Sequence, residues 1–139
     1  LLEINPRQSQ SHAEMFEYVD GVAHHEYMLR LALGETPQLR RRHGPYAVAA
    51  KWFYRRFGDG IVRRAPTESD VAEATHNVPG TSIEIEASDG VRLSDLPGQD
   101  SYSYNLAVIH TAGQTAAELQ EKYDQCVSAL QFEIDDVET

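Results

Sequence analysis

A run of aromatic and small residues in the middle of the chain most constrains the fold. Residues 46–56 read Tyr-Ala-Val-Ala-Ala-Lys-Trp-Phe-Tyr-Arg-Arg. Because successive side chains of a strand point to opposite faces, Trp52 and Tyr54 share one face. Aromatic and β-branched residues favour strands, so the run predicts a long strand. A turn at Phe57–Gly60 precedes Ile61–Arg64, and this pattern predicts a β-hairpin.

Other segments repeat apolar residues with either strand or helix spacing. Residues 81–87 alternate Ile with Glu and predict a half-exposed strand, which the turn at 88–90 folds back toward 91–93. Two hairpin-like units with crossing helices predict an α+β fold, with a largely antiparallel sheet and two to three packed helices. Further strands are expected at 103–111 and 132–134, and helices at 22–33, 67–75 and 115–130.

The last predicted helix carries its apolar residues on one stripe. Leu119, Cys126 and Leu130 belong to this stripe, so Cys126 is expected to pack as a small hydrophobe. It is the only cysteine of the chain, so no internal disulfide forms, which fits a reducing cytoplasm. No apolar run approaches the length of a membrane span or a secretion signal. We therefore expect a cytoplasmic protein with no membrane partner.

Positive charge is concentrated in one part of an acidic chain. The net charge is −10, yet eight of the twelve Lys and Arg residues lie between Arg40 and Arg64, where Asp59 is the only acidic residue. Because nucleic acid repels an acidic chain, we expect no nucleic-acid partner. The basic segment can face phosphates or an acidic partner domain. Alternatively, its long side chains simply cover apolar surface while their charges stay in water.

The first residues place oxygen ligands and a guanidinium at strand spacing. The chain begins Leu-Leu-Glu-Ile-Asn-Pro-Arg-Gln-Ser-Gln-Ser. In an extended chain Glu3, Asn5 and Arg7 point to the same side, at steps of about 6.5–7 Å. A carboxylate and an amide oxygen suit Mg²⁺, which keeps waters and phosphate oxygens as its other ligands. The planar fork of Arg7 suits a phosphate or an acyl-phosphate.

The pattern Glu-Ile-Asn-Pro-Arg followed by Ser-x-Ser resembles the metal-binding strand of the ATP-grasp superfamily, in its carbamoyl-phosphate synthetase and carboxylate–amine ligase branch. The resemblance implies that Glu3 and Asn5 hold Mg²⁺, or Mn²⁺, against the phosphates of ATP. It implies that Arg7 steadies the transferred phosphate. The hydroxyl of Ser9 either contacts phosphate or caps the following helix. The family usually has a basic residue between the two serines, where this chain has Gln10.

The resemblance also implies a domain organisation. Residues 1–44 are expected to end an ATP-grasp catalytic domain, 45–134 to form a C-terminal α+β lobe with hairpins, and 135–139 to be a frayed acidic tail. The parent enzyme would activate a small-molecule carboxylate as an acyl-phosphate for attack by an amine or similar nucleophile. An upstream ATP-binding domain of the same protein would supply the remaining parts, so the isolated chain is expected to be inactive.

A second interpretation needs no catalysis. In it the chain is a lid, dimerisation or docking module, and the aromatic strand Tyr46–Tyr54 is an interface. Whether the protein forms a homodimer is left open by the sequence, as are the identities of the carboxylate and the nucleophile.

Overall fold

The computed structural model describes residues 10–100 and 102–137. In these residues four α-helices and five strands form an α+β fold, which confirms the predicted class. The helices are α1 (Ala13–Asp20), α2 (His24–Ala32), α3 (Glu68–Asn77) and α4 (Ala116–Ala129). The strands are β1 (Val48–Phe57), β2 (Gly60–Arg64), β3 (Thr81–Ile85), β4 (Ser103–Gly113) and β5 (Glu133–Asp136). Short 3₁₀ turns cover Gln10–His12 and Leu93–Asp95.

The larger sheet has three antiparallel strands in the order β1-β4-β3. The central strand β4 is buried along nearly all of its length, because the sheet is covered on both faces. Lys51 of β1 and Ser82 of β3 both lie opposite His110, which places these three residues on one face. β2 and β5 form a separate two-stranded antiparallel sheet.

The predicted hairpin between residues 46–56 and 61–64 is wrong. Both strands exist, but β1 pairs with β4 and β2 pairs with β5. The turn between β1 and β2 explains why these two strands do not pair with each other. Its Asp59 carboxylate accepts hydrogen bonds from Arg92 at 2.6 Å and from the N–H of Ser94 at 3.1 Å. The turn is thus bound to a distant segment, and β2 diverges from β1.

The second predicted hairpin is also wrong, since β3 pairs with β4 and does not fold back on residues 91–93. That segment instead contacts β2. The N–H of Val62 donates to the carbonyl of Val91 at 2.9 Å, and the N–H of Gly90 donates to the carbonyl of Val62 at 2.7 Å. Val62 is fully buried at this crossing, so the core favours the contact.

Helix α4 covers the inner face of the larger sheet. Its predicted stripe is confirmed, because Leu119 and Cys126 are buried within the helix and Leu130 at its end. Trp52 stacks on Tyr123 with the ring centroids 4.8 Å apart. The aromatic face of β1 therefore belongs to the core, and the burial of its rings stabilises the folded state.

The predicted start of α3 and the predicted acidic tail have different outcomes. Thr67 and Asp70 form the predicted capping box at the start of α3. The expected acidic tail is partly wrong, because Asp135 and Asp136 belong to β5. Asp135 binds Arg63 through two guanidinium nitrogens, and Asp136 forms an ion pair with Arg56.

Candidate functional site

The residues that the sequence assigns to Mg²⁺ and phosphate lie outside the described residues. Glu3, Asn5, Arg7 and Ser9 all precede Gln10, where the description begins. Their predicted roles therefore stay predictions. The structure does describe the segment that directly follows them.

Helix α1, which begins at Ala13, is bound to the outer face of the larger sheet. The Glu14 carboxylate lies 3.3 Å from Nδ1 of His110, and the Tyr18 hydroxyl donates to the same carboxylate at 2.9 Å. The Tyr18 ring also meets Tyr46 edge to face, at 5.8 Å between centroids. Burial raises the pKa of Tyr18 well above its ordinary value, and the bond to Glu14 raises it further. Tyr18 therefore remains a hydrogen-bond donor at neutral pH.

His110 is the polar centre of this contact. Its side chain is 12% exposed, and Nδ1 lies 3.4 Å from the Ser82 hydroxyl as well as close to Glu14. Nε2 is buried and has no hydrogen-bond partner among residues 10–100 and 102–137. A serine activated by a histidine needs the acid and the serine on different ring nitrogens. Here Glu14 and Ser82 approach the same nitrogen, so the cluster joins α1 to the sheet and does not form a nucleophilic triad.

The loop between α2 and β1 is fixed by its backbone. The N–H of Arg40 donates to the Tyr27 hydroxyl at 2.9 Å, and the N–H of Arg42 donates to Asp20 at 2.7 Å. The N–H of Gly44 donates to the carbonyl of Val19 at 2.9 Å. A Cβ at Gly44 would overlap the backbone of α1, so only glycine allows this approach.

Most basic side chains in the described part of the chain are neutralised by carboxylates. Arg40, Arg41 and Arg42 form no ion pair with a described residue, although all three are exposed. Lys51 instead lies over the Phe53 ring at 4.9 Å. The side chains within 4.0 Å of a carboxylate are Arg30, Arg55, Arg56, Arg63, Arg64, Arg92 and Lys122.

Helix α2 forms where helical spacing predicted it, but it exposes most of its large apolar residues. The sequence pattern contained no signal for this exposure, because the spacing of α2 is that of a helix packed on a core. Leu29 is 66% exposed and Leu33 is 76% exposed. Met28 and Leu31 of the helix, and Leu39 in the loop after it, are also more than half exposed.

The described residues contain no group of three or more His, Cys, Asp or Glu side chains that is placed to hold a metal ion. An apolar depression beside α1 has a volume of about 360 Å³. It is lined by His12, Met15, Phe16, Val19, Asp20 and Ala49. Few polar groups converge there, so its chemistry suits contact with another apolar surface better than catalysis.

Comparison with protein-family models and with curated proteins found no match to this chain. Within residues 10–100 and 102–137, none of the helices is long and apolar enough to cross a membrane.

Proposed function

We propose that this chain is the C-terminal part of a cytoplasmic, ATP- and Mg²⁺-dependent ligase of the ATP-grasp type. The observation that carries the proposal is the sequence Glu-Ile-Asn-Pro-Arg at residues 3–7, in which Glu3, Asn5 and Arg7 alternate with the period expected for one face of a strand. ATP transfers its γ-phosphoryl group to an oxygen of a small-molecule carboxylate and leaves as ADP. An amine or similar nucleophile then attacks the acyl carbon, and phosphate departs.

Each residue of the motif has a separate task in this reaction. Glu3 and Asn5 supply two oxygen ligands to Mg²⁺, or to Mn²⁺ in its place. The guanidinium of Arg7 would contact the transferred phosphoryl group, and a metal ion held by Glu3 and Asn5 would supply further positive charge there. Ser9 adds a hydroxyl donor toward phosphate. The ATP-binding domain that supplies the rest of the nucleotide site lies upstream in the same polypeptide.

The anchoring of α1 supports this proposal. Metal ligands act best when the elements that carry them are rigid. The helix that follows the motif is bound to β4 through Glu14 and His110. It is also bound to the segment between α2 and β1, where the N–H of Gly44 donates to the carbonyl of Val19 and the Tyr18 ring meets Tyr46. The motif therefore leads directly into a segment with a fixed position on the sheet.

The test uses the full-length gene product and the substitution Glu3→Gln, which removes the charge and keeps the shape. We expect ADP release at saturating Mg²⁺ to fall by about 100-fold or more, because a charge-stabilising group at the phosphoryl is lost. Glu84→Gln is the matched control, since Glu84 is an exposed carboxylate on β3. Equal rates for Glu3→Gln and the control would refute the metal role. Residues 1–139 alone are expected to show no turnover.

The second candidate is a non-catalytic docking or dimerisation module. Phe53 and Phe57 favour it, because they are 46% and 74% exposed on β1, an edge strand of the larger sheet. Trp52 and Tyr54 pack inside the protein, so such a contact uses the opposite face of the strand. A module of this kind would still bind its partner after the substitution Glu3→Gln.

A further inference from the structure

Strand β2 has two edges, and the strand β5 covers one of them. The other edge is bound elsewhere, because the N–H of Val62 donates to the carbonyl of Val91 at 2.9 Å and its carbonyl accepts from the N–H of Gly90 at 2.7 Å. Val62 is fully buried, and the turn before β2 is fixed by the 2.6 Å bond between Asp59 and Arg92. Because these contacts do not involve β5, they hold β2 in position independently of it.

The edge that β5 covers is lined by arginines. Three guanidinium groups each face one carboxylate of the strand. The pairs are Arg63 with Asp135 at 2.6 Å, Arg56 with Asp136, and Arg64 with Glu133 at 4.0 Å. Ile134 is the apolar residue of the strand, and it packs on the core cluster that includes Val62 and Leu93. The edge therefore accepts an extended segment that combines acidic residues with one apolar side chain.

A glycine allows the close approach of this segment. Gly60 begins β2 and lies opposite Asp136. A Cβ at position 60 would lie 2.6 Å from Cγ2 of Ile134 and 2.9 Å from the carbonyl oxygen of Asp135, which is closer than van der Waals contact. The edge of β2 is therefore shaped, as well as charged, for a strand that lies against it.

The contacts that hold β5 on this edge are individually weak. The strand has only four residues, and its register with β2 is irregular between Val62 and Arg64. The side chains of Asp136, Asp135 and Glu133 are 87%, 54% and 57% exposed. Ion pairs with such exposed carboxylates contribute little to stability, because water and salt screen them. A competing segment therefore has little to displace apart from Ile134.

We propose that the arginine-lined edge of β2 is a binding site for an extended acidic segment of a partner protein, and that β5 is a displaceable strap that occupies the site when the partner is absent. The partner segment adds to β2 as a strand, with an apolar side chain in the place of Ile134 and carboxylates at the arginines. The bound β5 identifies the occupant, since it shows which chemistry the edge accepts. The inference does not depend on the proposed ligase activity.

Two other occupants fit less well. A nucleic acid also carries negative charge, but it has no backbone N–H and C=O groups to pair with a strand and no side chain to take the place of Ile134. The β5 of a second copy would only repeat the contacts of the chain's own β5, which the tether keeps at an effective concentration on the order of millimolar. A partner segment can differ from β5 in sequence and bind more tightly, whereas a second copy cannot.

The test measures binding of a fluorescent peptide, Phe-Glu-Ile-Asp-Asp-Val, to the full-length gene product by anisotropy. The peptide has the sequence of residues 132–137. Because the tethered strand competes with the peptide, we expect only weak binding to the wild type. The double substitution Asp135→Asn and Asp136→Asn weakens β5 by two ion pairs and should tighten peptide binding by about 5- to 10-fold. Adding Arg63→Gln to this variant should reverse most of the gain.

A matched control and a second measurement show where the peptide binds. Glu121→Gln with Asp124→Asn removes the same charge from exposed positions of α4 and should bind peptide like the wild type. Hydrogen exchange at residues 133–136 reports displacement directly, and the fluorophore distinguishes the added peptide by mass. Saturating peptide should speed this exchange by at least about 10-fold, because β5 is released into water, and should leave the exchange of α4 unchanged.

Binding that leaves the exchange of β5 unchanged would overturn the inference, because the peptide would then occupy another surface. Absence of measurable binding to the double variant would overturn it too. The same conclusion follows if a peptide with Asn in place of both Asp residues binds equally well, or if a short oligothymidylate competes as well as the peptide, since neither is an acidic strand. Wild-type dimers that dissociate when peptide is added would assign the edge to a second copy and end the proposal of a separate partner.

Discussion

The carboxylate of Asp59 should stabilise the fold in a way that acid removes. Its side chain is 13% exposed, and it lies in the turn that separates β1 from β2. Burial raises the pKa of Asp59, but hydrogen bonds from Arg92, Gly60 and Ser94 together outweigh burial and lower the pKa from 3.8 to about 2. The three donor distances are 2.6, 2.8 and 3.1 Å.

The size of the effect follows from this difference in pKa. If the whole fall in the pKa from 3.8 to about 2 appears in the free energy of unfolding, it contributes roughly 2.4 kcal/mol. Arg92 is 48% exposed, so water screens part of its attraction, and we expect about 1–2 kcal/mol. The folded state favours the ionised form. The stabilisation is therefore fully present only above about pH 5, and it is lost as the pH falls through 3.8 toward about 2.

The assay is urea unfolding of the wild type and of Asp59→Asn, at pH 7 and again near pH 2. The variant should be less stable by about 1–2 kcal/mol at pH 7, because it lacks the charge that binds Arg92. Near pH 2 the two proteins should differ much less. Glu84→Gln, at an exposed position, should match the wild type at pH 7. A deficit of the same size at both pH values would refute the electrostatic argument.

The remaining predictions concern the anchoring of helices and the proposed function. Tyr18→Phe removes the hydrogen bond to Glu14 and should lower the free energy of unfolding by about 1 kcal/mol in urea unfolding, since the carboxylate loses a donor. Thr67→Ala removes the N-cap of α3 and should cost about 1 kcal/mol by the same measurement, whereas no change would contradict the capping role. Glu3→Gln should reduce ADP release by the full-length protein.

Local features of the fold could be predicted from sequence because neighbouring residues determine them. The alternation of residues 81–87 predicted β3, and Thr67 with Asp70 predicted the start of α3. The stripe through Leu119 and Cys126 predicted the buried side of α4. In each case the periodicity or the cap lies within one element.

Strand pairing could not be predicted in the same way. A glycine turn after residue 57 suggested a hairpin, but the outcome depends on Asp59 meeting Arg92, which lies 33 residues further along. The exposure of Leu29 could not be predicted either, because helical spacing does not say whether another element covers the apolar face. The motif at Glu3 and Asn5 lies outside the described residues, so its geometry remains a prediction from spacing.

The central position of β4 has a consequence for synthesis of the protein. Its neighbours β1 and β3 are both made earlier, and residues 48 and 113 pair with each other at one end of the sheet. Contacts between such distant residues form slowly, because a long loop must close first. While the ribosome is still making residues 103–113, the nascent chain therefore carries two strands with open edges. This interval is when it is most vulnerable to pairing with other chains and most in need of a chaperone.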